Sequence, residues 1–95
     1  MENKKTDLQI KVIGKIKVLR QQANISQKDL ADYLDVTLGQ IGNIESLKYK
    51  NKYTLKHLLL LSQKFHVPIA ELLFDEPMND PDIELVLGKI VEYLD

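Results

Sequence analysis

The chain has 95 residues, with no cysteine, no tryptophan, three prolines and four glycines. Without cysteine, neither a disulfide framework nor a thiolate metal site can hold the fold, which fits a reducing compartment. The opening residues, MENKKTDLQI, are polar and then amphipathic, and no apolar core of a secretory leader follows them, so no signal peptide is expected. The longest uninterrupted apolar run, Leu58 to Leu61, is far too short to span a bilayer. There is no glycine-rich phosphate loop. His57 and His66 stand nine positions apart without a cysteine or a clustered carboxylate to complete a metal set. Ser26 and Ser62 lack the paired histidine and acid of a nucleophilic triad. The sequence therefore reads as a non-enzyme with no metal and no cofactor. His57 is expected as an exposed first-turn residue and His66 at a helix C-terminus.

What is present is a globular composition, 44% hydrophobic and 28% charged, of a size that makes one domain with one modest core. The net charge of −1 hides a division. Residues 1–68 carry +6 and residues 69–95 carry −7. A basic body with an acidic tail points to a polyanionic partner for one part of the chain, against the plainer reading of an ordinary solvated surface.

Apolar spacing predicts six helices and no strand. Thr6 and Gln9 form a capping-box pattern ahead of a stripe of Leu8, Val12, Ile16 and Leu19, widened by Ile13 and Ala23. This predicts a first helix over about 7–23, ended by Asn24 in a left-handed conformation. Ser26 caps a second helix that buries Leu30, Ala31 and Leu34. Asp35 sits at a sharp turn, where its tolerance of positive φ is useful, and Val36 plugs that turn. Thr37 and Gln40 form another capping box and open a third helix with Ile41 and Ile44 inward. Leu47 is placed beside them as a possible inward residue. A lysine-rich loop, 46–54, interleaves Lys48, Lys50 and Lys52 with Tyr49 and Tyr53. Thr54 caps a fourth helix over about 55–66, with Leu55, Leu58, Leu61, Ser62 and Phe65 inward, Leu60 outward and Leu59 at the boundary. Pro68 opens a short fifth helix as its first residue. After a proline-containing linker, Asp80-Pro81 is read as the start of a sixth helix whose stripe is Ile83, Leu87, Ile90 and Leu94, with Val86 and Val91 beside it.

The stretch Ser26–Glu45, SQKDLADYLDVTLGQIGNIE, resembles the helix-turn-helix of the phage repressor and Cro family of bacterial regulators, the XRE-like family. Gln27, Leu30-Ala31, Val36-Thr37, Ile41, Ile44-Glu45 and Lys48 fall in its pattern, and the likeness runs over about residues 12–74, from Ile16 and Leu19-Arg20 to VPIAELLF. Asp35 replaces the usual turn glycine, and Leu47 stands where a glycine commonly ends the recognition helix. The resemblance implies an all-α fold: a five-helix repressor-like DNA-binding domain over 1–74, and an acidic linker with an additional C-terminal helix over 75–95.

It further implies double-stranded DNA as partner, with the third helix in the major groove and the second crossing the backbone. The expected base contacts are Leu38, Gly39, Gln40 and Asn43. Asn43 can bond both edges of adenine, Leu38 can touch thymine methyls, and Gln40 can reach a base or a phosphate. Gly39 and Gly42 either let the backbone approach DNA or permit tight packing within the protein. Phosphate contacts are expected from Gln27, Thr37, Lys48, Tyr49, Lys50 and Lys52, with Lys15 and Lys28 as weaker candidates. The resemblance also implies a structural ion pair between Arg20 and Glu45.

The tail stripe needs a cover. It either packs on the fourth helix, over Leu59 and Leu60, or pairs with a second copy. Leu60, Ile83, Leu87, Ile90 and Leu94 are the residues expected at such a homodimer or packing surface. Two functions remain open. One is a sequence-specific transcription regulator, a repressor, cytoplasmic and bacterial or phage-encoded. The other is a protein-interaction module or antitoxin-like partner that keeps the fold without DNA.

Overall fold

The computed structural model describes residues 4–74 and 82–95. Six helices occur among them, α1 (Asp7–Gln22), α2 (Gln27–Leu34), α3 (Leu38–Glu45), α4 (Leu55–Phe65), α5 (Ile69–Leu73) and α6 (Ile83–Leu94), and the described residues contain no strand. Contacts divide the chain into two units, one ending at Tyr53 with α1, α2 and α3, the other beginning at Thr54 with α4, α5 and α6. The Asp80-Pro81 helix start lies outside the described residues. The cap actually seen on α6 is Asp82, whose carboxylate accepts the Glu84 backbone N–H at 2.8 Å.

Four helices start in the same way. Thr6 with Gln9, Ser26 with Asp29, Thr37 with Gln40 and Thr54 with His57 each form a reciprocal capping box. In each, the cap hydroxyl accepts from a first-turn N–H and the third helical side chain returns the bond, so two orphan backbone donors are satisfied together. His57 is thus a half-buried capping residue, not the exposed one its polarity suggested: its Nδ1 accepts the Thr54 N–H at 3.2 Å. Pro68 is the N-cap of α5 and not its first helical residue, so the helix begins one position later than expected, at Ile69.

Three helices also end alike. Asn24, Asp35 and His66 adopt φ of 57°, 58° and 55°. The N–H of the apolar residue that follows each returns to a carbonyl five positions back: Ile25 to Arg20, Val36 to Ala31 and Val67 to Ser62, each at 3.0 Å. This is the Schellman ending, normally built on glycine. It is used here three times without glycine. α3 alone among the first four helices ends otherwise, at an extended Ser46 with φ −85° and ψ 141°.

In the first unit, Leu8, Val12, Ile13 and Ile16 of α1, Leu30, Ala31 and Leu34 of α2, and Ile41 and Ile44 of α3 are buried. α3 lies against both α2 and α1. Each fully buried Leu or Ile contributes about 1.5–3 kcal/mol relative to exposure, so this stripe sets the angle of α3. Tyr53 lies in the loop, as expected from sequence, and is fully buried there. Leu47 does not join the core: it is 70% exposed, because α3 has already ended two residues earlier, at Glu45.

In the second unit, α5 touches both α4 and α6. Leu58 and Leu61 are buried, but the outward pair is reversed from expectation: Leu59 is exposed and Leu60 half-buried. On α6 only Tyr93 is fully buried, while Ile83, Leu87 and Leu94 of the predicted stripe are exposed and Ile90 is half-buried. The described residues thus leave most of that stripe exposed.

Candidate nucleic-acid interface

The geometry of the α2–α3 pair is fixed at its base by charge. Arg20, on the last turn of α1, donates from Nε to Glu45 Oε2 at 2.9 Å and from Nη2 to Glu45 Oε1 at 3.0 Å. The two side chains are 10% and 3% exposed, so the pair is a buried, bidentate one. Arg20 Nη1 donates to the Ile25 carbonyl at 2.9 Å, tying in the turn before α2. Gln27 Nε2 completes the set, donating to Glu45 Oε1 at 2.8 Å. Glu45, the last residue of α3, therefore gathers α1 and the first turn of α2. Tyr53 is buried nearby. Burial, reinforced by the Glu45 carboxylate and opposed by Arg20, pushes its phenol far above the usual tyrosine range.

The opposite side of α3 is open. Thr37, Leu38, Gly39 and Gln40 are exposed and Asn43 is half-buried. The cap narrows what two of them can offer. The Thr37 hydroxyl accepts from Gln40 N at 3.1 Å, and Gln40 Oε1 accepts from Thr37 N at 2.8 Å. With its oxygen committed to the cap, Gln40 presents its NH2 group as a donor, to a base acceptor or a phosphate. A two-point contact with adenine needs an amide whose oxygen and nitrogen are both available, which the capped Gln40 is not. A Cβ added at Gly42 would meet nothing within 4 Å, and one at Gly39 only the Thr37 hydroxyl at 3.9 Å. Tight packing within the protein is therefore not the reason for either glycine.

Lys48, Tyr49 and Lys50 follow α3 as exposed residues, and Lys52 is half-buried. Gln27 retains one amide hydrogen beyond its bond to Glu45, at the N-terminus of α2 where free N–H groups favour an anion. Lys28 is paired with Asp32 at 3.3 Å on the exposed face of α2.

One residue escaped the sequence reading. Lys5, only 7% exposed, donates its ammonium group to the carbonyl oxygens of Asn43 at 3.3 Å, Ser46 at 2.5 Å and Tyr49. It stands where the missing glycine cap of α3 would act. Burial lowers its pKa from the usual lysine range, while the three carbonyls and the negative end of the helix favour the charged form. Its partners lie 38 to 44 positions away, so no local pattern could have marked it.

Residues 16–72, more than half of the chain, match the model of the helix-turn-helix family of the XRE type. The chain belongs to that family. It is accordingly a DNA-binding regulator, of a family that is not an enzyme family. No match was found among curated proteins or among solved structures. The span that matches this helix-turn-helix family contains Arg20, Gln27, all of α3 and the lysine loop. It leaves out Lys5 and α6. Among the described residues, no cluster of three metal-binding side chains occurs, and no helix is long and apolar enough to cross a membrane.

Proposed function

We propose that the chain is a sequence-specific repressor that inserts α3 into the major groove of double-stranded DNA and binds as a homodimer. The observation that carries this reading is the bare face of α3. Two glycines there have open space, next to an amide at Asn43 able to read adenine, above a helix end locked by a buried ion pair. Leu38, Gly39, Gln40 and Asn43 meet the bases. Gln27, Thr37, Lys48, Tyr49, Lys50 and Lys52 hold phosphates, which fix register and supply most of the affinity. Repression follows from occupancy, a bound protein excluding polymerase from its site.

The homodimer reading rests on α6. Its exposed Ile83, Leu87, Val91 and Leu94 form an apolar surface that the described residues leave uncovered, and a second copy would bring a second α3 to a half-site about 34 Å away. The acidic residues of the tail keep that surface off DNA. Solution mass of the full chain beside an Ile83→Ser/Leu87→Ser variant tests it, with a dimer reduced to a monomer expected.

The experiment for DNA reading is selection of duplexes from a randomised pool, followed by binding across a salt series. Lys48→Gln with Lys50→Gln should weaken binding to every sequence and flatten the salt dependence by a slope of about one per lost contact. A second reading, an interaction module that has lost its DNA, draws on the commitment of the Gln40 oxygen to the cap and the absence of side chains at Gly39 and Gly42. Absence of salt-dependent binding to any duplex would favour it.

A further inference from the structure

α3 has the weakest intrinsic ending of the first four helices. It lacks the left-handed residue and the returning N–H that close α1, α2 and α4. It is only 8 residues long and carries two glycines, each costing up to ~1 kcal/mol of helix stability relative to alanine. Its last carbonyls would be orphaned in a partly buried place. The Lys5 ammonium takes one of them, the carbonyl of Asn43, together with the carbonyls of Ser46 at the C-cap and Tyr49 in the following loop.

We infer that Lys5 is a positioning residue for sequence reading, a cation that clamps the C-terminal turn of α3 to the start of the lysine loop and so fixes the register of Asn43 relative to Lys48 and Lys50. This rests on the proposal that α3 reads DNA. The three acceptors explain why the position suits lysine. An ammonium presents three N–H donors that can diverge to three carbonyls, whereas a guanidinium is a planar fork. They also separate base reading from phosphate grip. Asn43 lies on the helix and Tyr49 in the loop, and Lys5 is the side chain that bonds both. Lys5 itself, 7% exposed and bonded inward, is not placed to touch a phosphate. The clamp lies outside the span that matches the family, which begins at residue 16.

The test uses the full chain and its Lys5→Met variant, at a temperature where melting curves show both folded. Affinity is measured for a duplex selected by the wild-type chain and for a scrambled duplex, over a salt series, and amide hydrogen exchange is followed through residues 44–50. The expected result is exchange faster by about tenfold or more at 46–49, a preference for the selected duplex reduced about tenfold, in line with the loss of a charged hydrogen-bond set, and an unchanged salt slope. An equal loss on both duplexes with the slope reduced by about one would make Lys5 a phosphate contact and overturn the proposal. Unchanged exchange, or the same effects from Lys4→Met, would overturn it as well. If Lys5→Met does not fold, Lys5→Arg keeps the charge but not the three-way convergence and is judged by the same criteria. If the wild-type chain binds no duplex, the reading of DNA by α3 fails on its own account, and exchange alone decides whether the clamp exists.

Discussion

Gln27 donates its side-chain amide to the Glu45 carboxylate at 2.8 Å, joining the first residue of α2 to the last residue of α3. The same carboxylate accepts two of the three bonds that Arg20 donates, so one buried anion holds three donors from two other helices.

Removing members of this set should give unequal losses. Arg20→Ala leaves a buried carboxylate with one neutral donor and Glu45→Ala leaves a buried guanidinium, each expected to cost about 3–5 kcal/mol. Gln27→Ala removes one bond to a charged acceptor and should cost about 1.5–3 kcal/mol. Chemical denaturation of the single variants and of Arg20→Ala with Glu45→Ala reads this. A double variant as destabilised as the sum of the two single variants would show the residues to be uncoupled.

Gly42→Ala should separate stability from function. The added Cβ meets open space, so the fold should gain up to ~1 kcal/mol from helix propensity. If the bare face exists to bring the α3 backbone close to DNA, the same change should weaken binding to the selected duplex. A variant that melts higher and binds as well as wild type would show that the glycine serves no DNA approach.

Asp35→Gly should stabilise the first unit. Asp35 holds φ 58° and ψ 47°, a conformation that costs an L-residue roughly 1–2 kcal/mol and glycine nothing comparable. A gain of about 1 kcal/mol is expected, lessened by the greater freedom of glycine in the unfolded chain. Midpoint shifts in urea measure it.

His57 gives a pH dependence with a defined sign. Burial, with the neighbouring Lys56 charge, lowers its pKa below the ordinary 6.5, and its Nδ1 must be unprotonated to accept from Thr54 N. The unfolded chain therefore binds the proton more readily. The stability His57 contributes is fully present above the unfolded pKa and is lost as the pH falls through the lower folded value. His57→Gln keeps a reciprocal cap without a titrating group. Its melting temperature should fall less than that of wild type between about pH 7.5 and 5, a range that brackets the ordinary histidine pKa. Parallel slopes would remove His57 as the cause.

Much of the fold was legible because its signals are local. Thr6, Thr37 and Thr54 each precede a helix within one turn of their bonding partners. Asn24 and Asp35 occupy positions where the chain must reverse, and the apolar spacing of α1 to α4 named most of the core. The misses have a common physical origin. Leu47 was placed inward by extending a period past the point where α3 ends. Tyr53 does lie in the loop, and its full burial there depends on packing that the local pattern does not encode. Leu59 and Leu60 were exchanged because a one-position phase error on a helix turns a side chain by about 100°, from 3.6 residues per turn. Lys5 depends on acceptors from a distant turn, which spacing does not encode. Of the candidate site, the exposed face of α3 was readable from position. The commitment of the Gln40 oxygen was implicit in the Thr37 and Gln40 capping box, whereas that of the Gln27 amide was not, since its partner Glu45 lies 18 positions away on another helix.

The chain lacks tryptophan, so its near-ultraviolet signal comes chiefly from four tyrosines, and two of these, Tyr53 and Tyr93, are fully buried, one in each unit. The fold thereby carries a built-in optical reporter for each half. With Tyr53→Phe the remaining absorbance change on melting is dominated by the second unit, and with Tyr93→Phe by the first. Comparing the two curves tells whether α1 to α3 and α4 to α6 melt as one cooperative body or as two.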